Sequence, residues 1–225
     1  EEQVRPLYAR WKERDPVVRA TILGSPGQVE LHLSTRASNL RKAEDSLDLA
    51  VEELVGALGR DVYTTEGLPL ELVVGNSLRS HGWRIALAES CTGGLLASRL
   101  TDVPGSSAYL DLAVVTYSNL EKINLLGVPA SLIETHGAVS EPVALAMASG
   151  VATRAKADIG VGVTGIAGPT GGTKAKPVGT VFVAVTGVGS ERVKVFAFRG
   201  ERDMVKLQAS QAALDMVRRI LDGHE

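Results

Sequence analysis

The fold of this chain is decided by residues 88–94, which read Ala-Glu-Ser-Cys-Thr-Gly-Gly. Residues 84–88 are typical of a short buried strand, and a helix is predicted to begin at Leu95. Residues 90–92 are therefore predicted on a tight turn between strand and helix. Free backbone N–H groups and the positive end of a helix lie beside such a turn, and the two glycines let a ligand approach closely. The same pattern also suits a plain helix cap, because serine and threonine commonly cap helices.

Beyond this turn, apolar strands alternate with amphipathic helices, which is typical of an α/β fold. We predict a three-layer α/β/α sandwich with a largely parallel sheet over residues 68–225, preceded by a small α+β module over residues 1–67. The last two strands are predicted to form an antiparallel hairpin. The predicted strands are residues 84–88, 110–116, 159–163, 178–186 and 193–198; the predicted helices are residues 69–81, 95–100, 120–126, 129–136, 140–151 and 200–221.

The small module is predicted from a hairpin, a helix and a closing strand. Residues 24–27, Gly-Ser-Pro-Gly, join two β-rich runs and also match the GxxG loop of RNA-binding KH domains. That loop joins helices in KH domains, so the strand-like flanks favour a hairpin and disfavour nucleic-acid binding. The predicted elements are a helix over 1–11, strands over 17–23 and 29–34, a helix over 40–58 and a strand over 61–65.

Composition excludes several function classes. The 225 residues carry a formal net charge of -2, so there is no general electrostatic footprint for nucleic acid or a membrane surface. No apolar run is long enough to span a bilayer. The single cysteine rules out an internal disulfide and a Cys-based zinc site, which fits a reducing, cytoplasmic compartment. Scattered histidines give no metal-ligand spacing; they are His32, His81, His136 and His224.

No common catalytic motif is complete. Residues 160–165 fit GxGxxG, but the first two glycines fall inside a strand and no acid follows at the Rossmann distance. Ser90 lacks the GxSxG frame of an α/β-hydrolase, and a Ser-His-Asp triad is poorly supported. Lysine can replace histidine as the base, and Lys122 follows Tyr117 by five residues just past a strand end.

Convergence at one sheet edge connects these residues. The carboxyl ends of parallel strands share an edge, so Tyr117 and Lys122 are predicted to meet the Ser90 turn there. The glycine-rich loop after residue 163 lies at the same edge, where its N–H groups suit an anion. Ordinary alternatives stay open: a solvated helix lysine, a tyrosine at the edge of the core, and a flexible surface loop.

Five ordered motifs between about residues 70 and 221 resemble the C-terminal domain of the competence/damage-inducible CinA family, the nicotinamide mononucleotide deamidases. Residues 200–203, Gly-Glu-Arg-Asp, also resemble the family's Gly-Asp-Arg stretch, with Glu where Asp is usual. The five motifs are Ala-Glu-Ser90-Cys-Thr-Gly-Gly, Val-Thr-Tyr117-Ser-Asn119-Leu-Glu-Lys122, His136-Gly-Ala-Val-Ser140-Glu-Pro, Gly-Val-Thr164-Gly-Ile-Ala-Gly-Pro and Lys-Pro-Val-Gly179-Thr-Val.

The resemblance implies hydrolysis of nicotinamide mononucleotide to nicotinate mononucleotide and ammonia, without metal or cofactor. It implies Ser90 as the nucleophile, Lys122 as a neutral base, Tyr117 as a relay or support, and Arg202 as a phosphate contact. It also implies a homodimer and a KH-like linker module over residues 1–67. The implied substrate-binding residues are Glu89, Thr92, Gly93, Gly94, Asn119, Thr164, Gly165, Ile166, Ala167, Gly168 and Arg202.

Two competing functions stay open beside this one. The domain can be a non-catalytic nucleotide-binding or scaffold domain that kept the fold, although Ser90, Tyr117 and Lys122 are all intact. It can also be an amidase that uses Cys91, for which the sequence offers no obvious basic partner.

Overall fold

The computed structural model describes residues 6, 9 and 18–223. The chain divides into two compact units, residues 1–68 and residues 69–225. Apart from residues 6 and 9, the helix predicted over residues 1–11 lies outside the described residues. His224 lies outside them as well. Within the described ranges, no helix is long and apolar enough to cross a membrane.

The first unit contains an antiparallel hairpin and one helix. Strands β1 (Val18–Ser25) and β2 (Gln28–Thr35) pair along their full length around a two-residue Pro-Gly turn, which confirms the predicted hairpin. Helix α1 (Leu40–Leu58) is also confirmed, and it begins where the Asn39 side chain accepts the Lys42 N–H.

The closing strand predicted over residues 61–65 is wrong. Gly59 ends α1 with a φ of 54°, and Gly59–Asp61 continue as a short 3₁₀ turn. The N–H of Val62 is donated to the carbonyl of Gly59, so the chain closes on itself instead of joining the hairpin. β-rich composition alone does not form a strand when no neighbouring strand accepts its hydrogen bonds.

The second unit contains the strands and helices predicted from alternating periodicity, and its central sheet has five strands. The elements are α2 (Leu70–His81), β3 (Ile85–Glu89), α3 (Leu95–Thr101), β4 (Leu110–Val115), α4 (Asn119–Leu126), α5 (Ala130–His136), α6 (Glu141–Ala155), β5 (Ile159–Gly165), β6 (Thr180–Gly187), β7 (Ser190–Ala197) and α7 (Arg202–Leu221).

The sheet has the order β4-β3-β5-β6-β7. Strand β3 runs parallel to both β4 and β5, whereas β5 with β6 and β6 with β7 are antiparallel. The α/β fold with helices around the sheet is confirmed, but the sheet is mixed rather than largely parallel. The chain passes from β5 to β6 through a loop without a crossover helix, and that connection reverses the strand direction.

Small residues bring one helix very close to the sheet. A Cβ atom at Gly160 would lie 2.1 Å from the Ala148 carbonyl oxygen, and one at Gly162 would lie 2.2 Å from that of Ala144. Helix α6 therefore packs directly on this face, and α7 covers the opposite face of β5 and β6. The carboxyl ends of β3, β4 and β5 are left together at one edge of the sheet, between the two helical layers.

Candidate active site

A strand-to-helix turn holds Ser90 at this edge. Strand β3 ends at Glu89, and the Ser90 N–H continues the ladder by donating to the Val163 carbonyl of β5 at 3.0 Å. Gly93 and Gly94 then take φ values of 63° and 93°, which are costly for residues with a side chain. The chain reverses within four residues, and α3 begins directly behind the serine.

The Glu89 carboxylate holds the turn by accepting hydrogen bonds from the start of α3. The family resemblance implies a substrate contact for this side chain, but the structure buries it under the first turn of α3. It accepts the N–H groups of Gly94 at 2.9 Å, Leu96 at 3.2 Å and Ala97 at 2.8 Å. A carboxylate at a helix N-terminus satisfies orphan donors and complements the helix dipole. Glu89 therefore shapes the Ser90 turn without lining the pocket.

Replacement of Glu89 by glutamine is expected to lower the midpoint of thermal unfolding. One side-chain oxygen is exchanged for an NH₂ group, which faces backbone N–H donors and cannot accept from them. Loss of charge-assisted bonds and an unsatisfied buried donor should together cost about 2–4 kcal/mol of unfolding free energy. Calorimetry of Glu89→Gln measures this, with Glu134→Gln, which changes an exposed glutamate of α5, as the matched control. A midpoint equal to wild type would contradict the capping role.

Lys122 is the buried cation of the site. It lies one turn inside α4, after Ser118 caps the helix by accepting the Glu121 N–H, and it is 1% exposed. Its Nζ lies 3.2 Å from the Ser90 Oγ and 2.7 Å from the Thr116 carbonyl oxygen, to which it donates. No ion pair to Lys122 forms among the described residues. The alternative of a solvated helix lysine is therefore wrong.

Burial lowers the pKa of Lys122 below its ordinary value of 10.5, and the nearby Cys91 opposes the shift. Below the lowered pKa, lysine is charged in both the folded and unfolded states, and the folded state bears the whole cost of burial. As pH rises toward 10.5, the folded state loses its proton first and that cost disappears. The free energy of unfolding of wild type should therefore rise with pH relative to that of Lys122→Met, as measured by urea denaturation. Parallel curves would contradict a lowered pKa.

Two backbone N–H groups directly follow Ser90. The Ser90 N–H is bonded to Val163, and the Gly93 N–H is donated to the Ser90 carbonyl at 3.1 Å. Within the described part of the chain, the N–H groups of Cys91 and Thr92 donate to no backbone carbonyl, and both interact with the Cys91 sulfur, which is only a weak acceptor. These two groups are available to stabilise negative charge that develops on a carbonyl oxygen held at Ser90.

Cys91 also borders the pocket, but its thiol is unsuited to nucleophilic attack. The side chain is 6% exposed, and burial raises the pKa of the thiol to about 12. At neutral pH almost none of it is the reactive thiolate.

A cavity of about 220 Å³ opens beside the serine and lysine. It brings together all three residues predicted for catalysis and several predicted for binding, and it adds two that sequence reasoning missed, Ala138 and Val139. The predicted residues that line it are Ser90, Tyr117, Asn119, Lys122, Thr164, Gly165, Ala167 and Arg202. The predicted residues that do not line it are Glu89, Thr92, Gly93, Gly94, Ile166 and Gly168.

Arg202 joins two walls of this cavity. From the start of α7, its guanidinium donates to the Tyr117 hydroxyl and to the Gly168 carbonyl, each at 2.8 Å. Tyr117 is 62% exposed, and within the described residues no hydrogen bond connects its hydroxyl to Lys122. On the third wall, the Thr164 hydroxyl donates to the Ala138 carbonyl at 2.9 Å, which fixes the loop before α6.

No group of three or more His, Cys, Asp or Glu side chains with metal-binding geometry occurs in the described ranges. The groups that the structure does bring together are a hydroxyl nucleophile, a desolvated amine and two N–H donors that bond no backbone carbonyl of the described residues. This set suits acyl transfer from an amide or ester.

Comparison with known proteins points to one family. The family model of the CinA C-terminal domain matches residues 68–221. A CinA-like protein of Koribacter versatilis is 47% identical over 219 residues, which are 97% of this chain and 52% of that relative. The chain thus spans about half the length of the relatives it matches.

Solved structures give the same result. The competence/damage inducible protein CihA from Agrobacterium tumefaciens is 39% identical, with a TM-score of 0.66 over 68% of this chain and 93% of that chain. The competence damage-inducible protein A from Klebsiella pneumoniae is 38% identical, with a TM-score of 0.67 over 69% of this chain and 97% of that chain.

Proposed function

The chain belongs to the CinA family through its C-terminal domain, residues 68–221, and from that premise we propose that it hydrolyses nicotinamide mononucleotide to nicotinate mononucleotide and ammonia. The observation that supports this most strongly is the 3.2 Å contact between the Ser90 Oγ and the Nζ of the buried Lys122. A serine paired with a neutral lysine is a known alternative to the serine–histidine pair.

In the first half of the reaction, the Ser90 Oγ attacks the carboxamide carbon as neutral Lys122 takes the serine proton. The carbonyl oxygen becomes negative and accepts from the N–H groups of Cys91 and Thr92, for which it is a stronger acceptor than the Cys91 sulfur. The ammonium of Lys122 then returns its proton to the leaving nitrogen, the carbon–nitrogen bond breaks and ammonia departs. An ester between Ser90 and the nicotinoyl group remains.

In the second half, water attacks the ester carbon and Lys122 accepts the water proton. The ester bond breaks, the serine oxygen recovers a proton from Lys122, and nicotinate mononucleotide is released. The Thr116 carbonyl contributes throughout, because it accepts one N–H of Lys122 at 2.7 Å and so aims the nitrogen lone pair at Ser90.

Tyr117 and Arg202 have supporting parts in this scheme. The Arg202 guanidinium has five N–H donors, and the two contacts described leave three for a ligand. We assign it to the nucleotide, and Tyr117 to the pocket wall beside the ring. If Tyr117 instead relays a proton, Tyr117→Phe will lower kcat rather than raise KM.

Ammonia release tests the proposed function. The purified chain is incubated with nicotinamide mononucleotide, and ammonia and nicotinate mononucleotide are quantified together, with NAD as a comparison substrate. The proposal expects one ammonia for each nicotinate mononucleotide formed. The second candidate, a non-catalytic nucleotide-binding domain, expects the mononucleotide to bind without any product.

A further inference from the structure

We propose that a groove next to the catalytic pocket binds the phosphate of the substrate, and that Lys206 is the residue that selects phosphorylated substrates. This inference rests on the proposed function and assigns a further residue and subsite to it.

The volumes of two neighbouring cavities support this subsite. Pockets that enclose a whole small molecule have volumes of roughly 300–1,000 Å³. The cavity at Ser90 has about 220 Å³, so it suits the reacting end of a mononucleotide rather than all of it. A second groove of about 540 Å³ lies beside it, and Arg202 lines both. The ribose phosphate can therefore extend past Arg202 into this groove.

The positive charge of Lys206 also supports this subsite. Lys206 follows Arg202 by one helical turn, so both side chains lie on the same face of α7. Lys206 is partly buried, and among the described residues it forms no ion pair or hydrogen bond. Its Nζ would lie 3.5 Å from a Cβ atom at Gly93, three residues after the nucleophile. The Lys206 ammonium therefore keeps its three N–H donors for an anionic ligand.

The groove also contains acidic residues, and their placement fits the proposal. Glu201 and Asp203 line it, but both are exposed, where water screens their charge. The Asp203 carboxylate accepts the Met204 N–H at 2.8 Å. Of the four charged side chains that line the groove, Lys206 is the one that is partly buried. A phosphate monoester that enters past Arg202 would lie between Arg202 and Lys206, and guanidinium and ammonium groups both suit it.

Lys206 is a cleaner probe of the phosphate than Arg202. Arg202 also ties Tyr117 to the Gly168 carbonyl, so its removal disturbs the ring pocket as well. Kinetics of Lys206→Ala should be measured with nicotinamide mononucleotide and with nicotinamide riboside, which lacks the phosphate. We expect KM for the mononucleotide to rise about 10- to 100-fold with kcat nearly unchanged, and the riboside values to stay within twofold. Lys206→Arg should retain most of the wild-type affinity.

The matched control is Lys156→Ala, which removes an exposed lysine at the opposite edge of the sheet, before β5. An unchanged KM for the mononucleotide in Lys206→Ala would overturn the proposal, and so would equal losses on both substrates. If wild type releases no ammonia, the proposed function fails by itself. Calorimetric titration with ribose 5-phosphate then decides the subsite, as it does if the riboside reacts too slowly. Binding at least tenfold weaker in Lys206→Ala supports the subsite, and equal binding overturns it.

Discussion

Replacement of Ser90 by alanine is expected to abolish ammonia release from nicotinamide mononucleotide, with kcat lowered at least about a thousandfold. Without the hydroxyl, no ester can form, and the remaining groups can only orient the substrate and stabilise the oxyanion. The fold should be unaffected, because the turn is held by the Ser90 backbone N–H and by the Glu89 carboxylate rather than by the Ser90 side chain. Unfolding temperature and mononucleotide binding should stay near wild type.

Two control variants distinguish Ser90 from Cys91 as the nucleophile and from an unrelated serine. Cys91→Ala should retain most activity, since the thiol is buried and protonated at neutral pH. Ser131→Ala removes an exposed hydroxyl from α5 and should change nothing. If Cys91→Ala is the inactive variant and Ser90→Ala is active, the nucleophile is the cysteine and the proposed mechanism is wrong.

Lys122→Arg is expected to be as inactive as the serine variant, although it keeps the positive charge. A guanidinium stays protonated at any working pH, so it cannot accept the proton of Ser90. It is also bulkier than the ammonium that contacts the Ser90 Oγ and the Thr116 carbonyl. Lys122→Met, which has similar length and no charge, tests the same point without added bulk.

The measurement for this prediction is single-turnover ammonia release by Lys122→Arg and Lys122→Met, with unfolding curves for both variants. We expect both to remain folded and both to be about a thousandfold slower than wild type. Lys176→Arg is the matched control, because Lys176 does not line the cavity and its Nζ donates to the His136 carbonyl. Full activity in Lys122→Arg would show that the residue supplies charge alone.

Topology explains why much of the site is predictable from the sequence. Parallel neighbours of β3 place the residues after β3, β4 and β5 at one edge, so convergence of Ser90, Lys122 and Thr164 follows from strand order. The degree of burial does not follow, because it depends on how α4 is rotated against the sheet. The Lys122 side chain on α4 is buried and contacts Ser90, whereas Tyr117, which lies between β4 and α4, is exposed.

Other parts of the site leave little or no trace in side-chain identity. The Thr116 contact to Lys122 is a backbone carbonyl, and Ala138 and Val139 line the pocket with ordinary apolar groups. Glu89 is also hidden, because its carboxylate reaches the first turn of α3 from the last residue of β3, and the usual pattern of an acid within the first helical turn does not reveal it. The direction of β6 does not follow from the sequence, because the glycine-rich loop before it gives no indication of whether the next strand reverses.

Dependence of kcat/KM on pH tests the Ser90–Lys122 pair most directly. Only the neutral amine is a base, so kcat/KM for nicotinamide mononucleotide should rise tenfold per pH unit on the acid side and then level off. The midpoint should lie below 10.5, because burial lowers the pKa of Lys122. In Lys122→Met the small residual rate should lose this rise. A wild-type profile of kcat/KM that shows no rise with pH below 10.5, or a rise that persists in Lys122→Met, would contradict the account.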